Sequence, residues 1–337
     1  TLWTGRVQTP QWGPERVTLQ ASDELDILVG DPRVTTVTTA TYPDADLGAL
    51  GRVQPLLFGD CRGVLAILTG FSTLTFTVAE HGILSLDRVL VGDEEVIPYS
   101  VDLNSGTFRV GEQYRTRIVV DRQAVTVDAV GYKDTNGYSM TNAADVIEKL
   151  LTNYSNTTPT LDAASFAAAR LALAPYHISV AVTDRTPLAR IIARICRSTL
   201  SFLVTNAAGA FALKTWQAVR VDAVPVRYLR ENSGAVGNID VTYTAARVVG
   251  GYSIEQARES VSLRRVDAVS AEQMIYHEED TAEQQYGRRP DPLTIENSAL
   301  ESLDAAPLLA GRLRLYYGAQ AFEARIEINK QWSDLAE

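Results

Sequence analysis

Histidine, the side chain best suited to proton transfer near neutral pH, occurs only at His81, His177 and His277. Each of the three stands alone, and none belongs to a His-Glu-x-x-His pair, which would place two imidazoles on one helix face around a zinc ion. The chain also has no Gly-x-Ser-x-Gly motif to expose a nucleophilic serine and no glycine-rich loop of the kind that holds phosphate. These patterns favour a protein that is not an enzyme, with no catalytic, cofactor-binding or metal-binding residues.

Two acidic segments could hold a cation. The densest is His277-Glu278-Glu279-Asp280, but neighbouring residues on a strand or loop point in different directions, so a solvated acidic loop is favoured over a metal site. The segment Asp134-Thr135-Asn136-Gly137 is similar to the middle of a calcium-binding loop. Tyr132 stands two positions before it and no glutamate closes it, so we predict a turn.

Three arginines, Arg190, Arg194 and Arg197, are spaced to lie on one face of a predicted helix. The stripe fits a solvated helix face, an interface with an acidic neighbour or a nucleic-acid contact. A carboxylate pair for glycoside hydrolysis needs only to be close in space, and with 41 acidic residues no pair can be named.

The composition is that of a folded protein of two or three domains, with 337 residues of which 46% are hydrophobic. The net charge of −10 argues against stable binding of nucleic acid or an anionic membrane. Cys61 and Cys196 are predicted to be two buried thiols in a reducing compartment. The longest apolar run, residues 63–71, is too short to span a bilayer, so we expect a soluble chain without an export signal.

The first part of the chain alternates apolar and polar residues, which is typical of half-buried strands. Strands are predicted at residues 15–21, 73–79, 88–91, 113–121 and 124–130. Residues 41–51, with a proline, two aspartates and two glycines, predict a loop at a domain or insertion boundary.

The middle part has helical spacing. Helices are predicted from a cap at Thr141 or Asn142 to residue 152, from Asp162 to residue 173, and from a cap at Thr186 with Pro187 in the first turn. Residues 201–204 and 210–213 flank a short loop and predict a hairpin.

The last third returns mainly to strands, with one helix. Strands are predicted at residues 239–245 and 322–329, an excursion loop or short exposed helix at 272–289, and a helix at 304–317. The whole pattern predicts an α+β fold with strands in the majority.

Several segments together carry a family resemblance: Leu2-Trp3-Thr4-Gly5-Arg6-Val7 with Val17-Thr18-Leu19, Tyr42-Pro43-Asp44-Ala45-Asp46 with residues 51–60, residues 145–153, residues 186–195 with Phe202-Leu203 and residues 209–213, and residues 308–317. They resemble tail hub proteins of tailed bacteriophages. That family includes the central baseplate hub of contractile tails and the hub region of lambda-like tail-tip attachment proteins.

The resemblance implies a β-rich α+β fold with two small, tail-tube-like β-barrel hub domains that carry inserted β and helical subdomains. Residues 1–40 would hold the first hub-barrel strands and residues 41–140 an inserted β-rich domain. Residues 141–218 would form a helical or α+β subdomain. Residues 219–337 would supply the barrel-completing strands and a second hub domain, truncated at its C-terminal end.

The function implied is that of a structural hub in the virion, made in the host cytoplasm, which joins the tail tube to the distal tip and lines the channel for DNA. The partners would be two further copies in a homotrimer, distal tail or tube proteins, tip or fibre proteins, and DNA in transient, non-specific passage. Another tail structural protein, such as a distal tail or tube subunit, is one alternative. A β-rich glycan-binding module or glycosidase is another, suggested by four Trp and 14 Tyr residues.

Overall fold

The computed structural model describes residues 5–7, 11–12, 17–18, 21–23, 28, 30, 32–134, 136–206, 208–216, 236–244, 251–255, 274–278, 293–295, 299–300, 306–317 and 321–328.

Short strands dominate the described part of the chain. In order they are β1 (Gly5–Val7), β2 (Gln11–Trp12), β3 (Val17–Thr18), β4 (Ala21–Asp23), β5 (Leu56–Phe58), β6 (Asp60–Leu65), β7 (Ile67–Gly70), β8 (Thr75–Thr77), β9 (Ser85–Val91), β10 (Glu94–Glu95), β11 (Ser100–Asp102), β12 (Thr107–Arg109), β13 (Val125–Val130), β14 (Val180–Val182), β15 (Ser201–Thr205), β16 (Phe211–Thr215), β17 (Val236–Thr244), β18 (Gly251–Glu255), β19 (Met274–Glu278), β20 (Leu293–Ile295) and β21 (Ala321–Ile328). The α-helices are α1 (Ala143–Asn153), α2 (Ala163–Leu173), α3 (Leu188–Thr199) and α4 (Ala306–Tyr317).

Two four-stranded antiparallel sheets share the first hydrophobic core. One sheet has the order β10-β9-β13-β6 and the other the order β11-β12-β8-β7. Phe76 and Phe108 lie opposite each other on β8 and β12, and their rings stack with centroids 5.3 Å apart. Both are buried in the same core as Val89 and Val127 of the other sheet, so burial of these apolar faces holds the two sheets together.

The second core is helical. The apolar faces of α1, α2 and α3 pack together with residues of α4 and of the β5–β14 strand pair. In that pair Leu57 lies opposite Ala181, and both contact the sheet core. Phe58 and Val180 belong to the helical core. Successive side chains of a strand point to opposite faces. One face of the β5–β14 ladder therefore packs in the sheet core, and the other packs in the helical core.

The helix starts agree closely with the sequence-based predictions. The side chain of Asn142 accepts a hydrogen bond from the amide of Ala144 (2.9 Å), and Asp162 accepts one from the amide of Ser165 (3.1 Å). The cap predicted at Thr186 is wrong by one residue, because Pro187 occupies the N-cap position of α3. Thr186 instead donates its hydroxyl to Asp184, which closes the turn before the helix.

The strand predicted at residues 113–121 is wrong. The chain there forms a 3-10 turn, Glu112–Tyr114, followed by one π-helical turn, Thr116–Val120. Arg115 donates to the carbonyls of Phe71 and Ser72, whereas Arg117 donates to the carbonyl of Val91. In a strand, side chains two residues apart point to the same face, whereas in a helical turn they point to nearly opposite sides. The helical turn therefore lets Arg115 and Arg117 bond to carbonyls on different sides of it.

Other predicted elements are confirmed with shifted ends. Seven predicted elements match observed ones. They are the strands at 73–79, 88–91, 124–130, 239–245 and 322–329, the hairpin at 201–213 and the helix at 304–317. The strand predicted at 15–21 is represented by the short β3 and β4. The excursion predicted at 272–289 is wrong for Met274–Glu278, which pair with β18 as a strand, and its remainder lies outside the described residues.

The protein is therefore α+β, with several small antiparallel sheets. No sheet among the described strands closes into a barrel. Most of the residues predicted to form the two hub barrels, at both ends of the chain, lie outside the described ranges. None of the helices seen in the described ranges is long and apolar enough to cross a membrane.

Candidate functional site

A groove of about 530 Å³ lies between strand β14 and helix α3. Its lining includes Val180 and Val182 on one side and Arg190, Arg194 and Arg197 on the other. We call this feature the arginine groove. It brings together all three members of the basic stripe that the helix spacing predicted, and it adds a facing wall formed by the strand that precedes the helix.

The helix that carries the arginines is held rigidly. Leu188, Ile192 and Ile195 of α3 are at most 3% exposed and belong to the helical core. The arginines occupy the opposite face at intervals of four and three residues, so that they follow one another along the groove. Burial of the apolar face thus fixes the position of the guanidinium row.

The opposite wall is fixed by strand pairing. Val180 lies opposite Phe58 and Val182 opposite Leu56 in the antiparallel β5–β14 ladder. After β14 the chain turns at Asp184, whose carboxylate accepts bonds from the amide and hydroxyl of Thr186. This turn leads into α3, so the two walls are consecutive elements of one folded unit.

Basic side chains outnumber acidic ones among the described residues that line the groove. Three guanidinium groups line it, and Asp184 is the one carboxylate among its described lining residues, whereas the whole chain carries −10. Arg190 and Arg197 are exposed and Arg194 is half-buried. Guanidinium groups in such a row bind carboxylate or phosphate oxygens through paired hydrogen bonds, so the groove suits an anionic partner.

The buried hydroxyl at the groove has a structural role. Ser198, 1% exposed, donates to the carbonyl of Arg194 (2.7 Å) and accepts from the amide of Ala299 (2.8 Å). A nucleophilic serine needs an adjacent base to take its proton, and this hydroxyl directs its proton to a backbone carbonyl. The bond to Ala299 instead ties α3 to a distant part of the chain.

The histidines lie apart from the groove. His81 sits between the two cores, where Nε2 accepts from the amide of Leu57 (3.1 Å) and Nδ1 lies 2.9 Å from the carbonyl oxygen of Gly82. Burial lowers the pKa of His81 to about 4, an effect that the Gly82 carbonyl opposes and the Lys149 charge reinforces. Since both ring nitrogens are engaged, His81 fastens the backbone and has no nitrogen left for a metal ion.

The other two histidines are also separate. His177 is exposed, and its Nδ1 lies 2.8 Å from the hydroxyl of Thr141. His277 and Glu278 are the last two residues of strand β19, and Glu279 and Asp280 lie outside the described ranges. Within the part of the chain that the structure describes, no three His, Cys, Asp or Glu side chains are grouped so as to hold a metal ion.

The segment resembling a calcium-binding loop is a turn, as predicted. One carboxylate oxygen of Asp134 accepts bonds from the amides of Asn136 and Tyr138, both at 2.8 Å. Gly137 has φ +84°, a conformation that glycine adopts without strain. The aspartate thus caps its own turn.

Both cysteines are buried thiols, as predicted. Burial raises the pKa of Cys196 to about 11. The thiolate is the reactive form of cysteine, so this residue is protonated and inert at neutral pH.

Comparison with known protein families and with curated proteins gave no match for this chain.

Proposed function

We propose that this chain is a structural hub protein of a bacteriophage tail tip. In this role it forms a homotrimer in the virion, joins the tail tube to the distal tip, and lines the channel through which DNA passes. The observation that carries the proposal is the arginine groove, a preformed cationic surface on a strongly acidic chain. An assembly protein requires such a surface, because opposite charges orient partners as they meet.

The groove supports docking of a protein because its walls are already in place. Helix α3 and strand β14 are anchored in the helical core, so little ordering is required when a partner binds. The groove lining combines arginines with the hydroxyl group of Thr183. These donors favour an acidic segment of a neighbouring tail protein, either a second copy or a distal tail, tube, tip or fibre protein.

Strand pairing within each of the two end segments supports the proposed division of the chain. In the N-terminal segment, residues 1–40, β1 pairs with β4. In the last segment, residues 219–337, β17 pairs with β21 over almost its whole length, with Asp240 opposite Arg325. In the proposal these strands belong to the two hub barrels, and residues 41–140 and 141–218 are the inserted β and helical subdomains.

The acidic excess supports a channel through which DNA slides. A wall that repels phosphate does not retain DNA, since stable non-specific binding depends on neutralising phosphates with Lys and Arg. The arginine groove is therefore assigned to protein contacts and not to the channel wall. If the residues that face the channel in the trimer were mostly arginine, this part of the proposal would be wrong.

Class averages of the isolated protein by electron microscopy test the proposal. Three-fold particles are expected for a hub, whereas a six-fold ring would favour a distal tail or tube subunit. A glycan array and a glycoside-hydrolysis assay on the same sample test the alternative of a β-rich glycan-binding module or glycosidase. The hub should be negative in both, and glycan binding or turnover by a monomer would overturn the proposal.

A further inference from the structure

Among the described residues, the turn between β9 and β10 offers an acidic feature complementary to the groove. Asp93, Glu94 and Glu95 are consecutive and exposed there, and we call them the acidic tip. Glu94 pairs with Val91 and Glu95 with Leu90 in the hairpin ladder. Arg117 contacts Glu94 and also donates to the carbonyl of Val91 (2.9 Å). These two bonds hold the acidic tip in a fixed position.

Exposed apolar side chains follow the acidic tip directly. Ile97 is 90% exposed and Tyr99 is 77% exposed. Arg109 lies over the Tyr99 ring, with its guanidinium carbon 5.6 Å from the ring centroid. Aromatic and large apolar side chains placed beside charged groups are typical of protein interfaces, where the apolar part is desolvated and the charges set the orientation.

The tip cannot reach the groove of its own chain. Strand β10 lies at one edge of its sheet and β6 at the other. The segment around β14, which forms one wall of the groove, is tied to β6 by the hydroxyl of Ser179, which donates to the carbonyl of Asp60 (2.7 Å). Three strand spacings of about 4.8 Å each separate the two edges, and both edge strands are held in place by antiparallel pairing, β10 with β9 and β6 with β13.

We propose that the acidic tip of one copy docks in the arginine groove of a second copy. The carboxylates of Asp93 and Glu95 meet the groove at the guanidinium of Arg190, while Ile97 and Tyr99 cover the rim of the groove. Groove and tip are different surfaces of one chain, so the contact is head-to-tail and closes into a ring when the rotation allows it. The inference rests on the proposed function, because it identifies the contact that builds the trimer.

Charge reversal tests the contact. Glu95→Arg and Arg190→Glu should each weaken self-association more than tenfold, measured by sedimentation velocity over a concentration series. The matched controls are Asp87→Arg, an exposed acid on β9 away from the tip, and Arg185→Glu, an exposed arginine outside the groove lining. Both controls should assemble as the wild type does, and circular dichroism should show all four variants folded.

The rescue experiment gives the sharpest outcome. A chain carrying both Glu95→Arg and Arg190→Glu has its charges exchanged across the contact and should regain the wild-type oligomer. If the single reversals leave a wild-type trimer intact, or if the double variant does not recover, the docking contact is wrong while the hub function stands. A wild-type chain that is monomeric at all concentrations would instead contradict the proposed function itself.

Discussion

His81 and Leu57 join the two halves of the described core through one hydrogen bond. The Nε2 atom of His81 accepts the amide proton of Leu57 at 3.1 Å, and Leu57 is the β5 residue that faces the sheet core. The imidazole also packs against Tyr132, with ring centroids 4.0 Å apart. This bond requires a lone pair on Nε2, and therefore a neutral ring.

This requirement predicts an acid-sensitive fold. The pKa of His81 is lowered from 6.5 to about 4 by burial, so the unfolded chain takes up the proton first as the pH falls. Stability is therefore complete above pH 6.5 and declines between pH 6.5 and 4, by up to about 3 kcal/mol from this residue. Urea unfolding at a series of pH values measures the decline. Lys149, whose ammonium lies over the Tyr132 ring at 4.6 Å, adds to the repulsion of a charged imidazole.

The control for this prediction is His81→Gln, which replaces the imidazole by a side chain that does not titrate. The variant should be less stable than the wild type near neutral pH but should lose most of the slope between pH 6.5 and 4. An unchanged slope in the variant would assign the acid sensitivity to other groups.

Gly131 permits the close approach of β13 to β5. A Cβ atom at this position would lie 2.1 Å from the carbonyl oxygen of Leu57, and the amide of Gly131 donates to the carbonyl of Gly59 at 2.9 Å. Gly131→Ala must push apart backbones that are hydrogen bonded, so we expect a loss of about 3 kcal/mol or failure to fold. Thermal unfolding measures it.

Gly311 provides the contrasting substitution. It lies inside helix α4, and a Cβ atom there would meet nothing within 4 Å. Gly311→Ala should stabilise the protein by about 0.5–1 kcal/mol, because alanine has the higher helix propensity. A destabilised Gly311→Ala variant would contradict the open environment assigned to this residue.

Asp162 links helix α2 to the β15–β16 hairpin. One carboxylate oxygen caps the helix at the amide of Ser165 (3.1 Å), and the other accepts from the side chain of Asn206 (3.3 Å). These bonds, led by that to the Ser165 amide, hold the pKa of Asp162 below its ordinary value. Asp162→Ala should lower the free energy of unfolding, and Asp162→Asn, which keeps an oxygen acceptor, should lower it less. Equal losses in the two variants would argue against the cap.

Local patterns predicted most helices because a helix depends on residues three and four positions apart. The apolar stripe and cap of α1, and the stripe of α3 with its arginines opposite, were readable from spacing alone. The register between β5 and β14 was not, since Leu57 and Ala181 are far apart in the sequence. The turn at Thr116–Val120 was missed for the same reason, because its conformation is set by carbonyls contributed from Phe71 and Val91.

The candidate site was predicted in part. The basic stripe identified one wall of the arginine groove, and an acidic neighbour was one of its interpretations. The other wall depends on a strand pairing that the sequence does not reveal. The sequence does not single out the acidic tip, since its exposure and its bonds to Arg117 appear only in the folded chain.

The central claim, a hub that works by self-assembly, is tested most directly by the native mass of the isolated wild-type protein at several concentrations. The account predicts a trimer that dissociates as salt is raised, because charge pairs at its contacts are screened. A stable monomer at every concentration, or a hexamer, would contradict it.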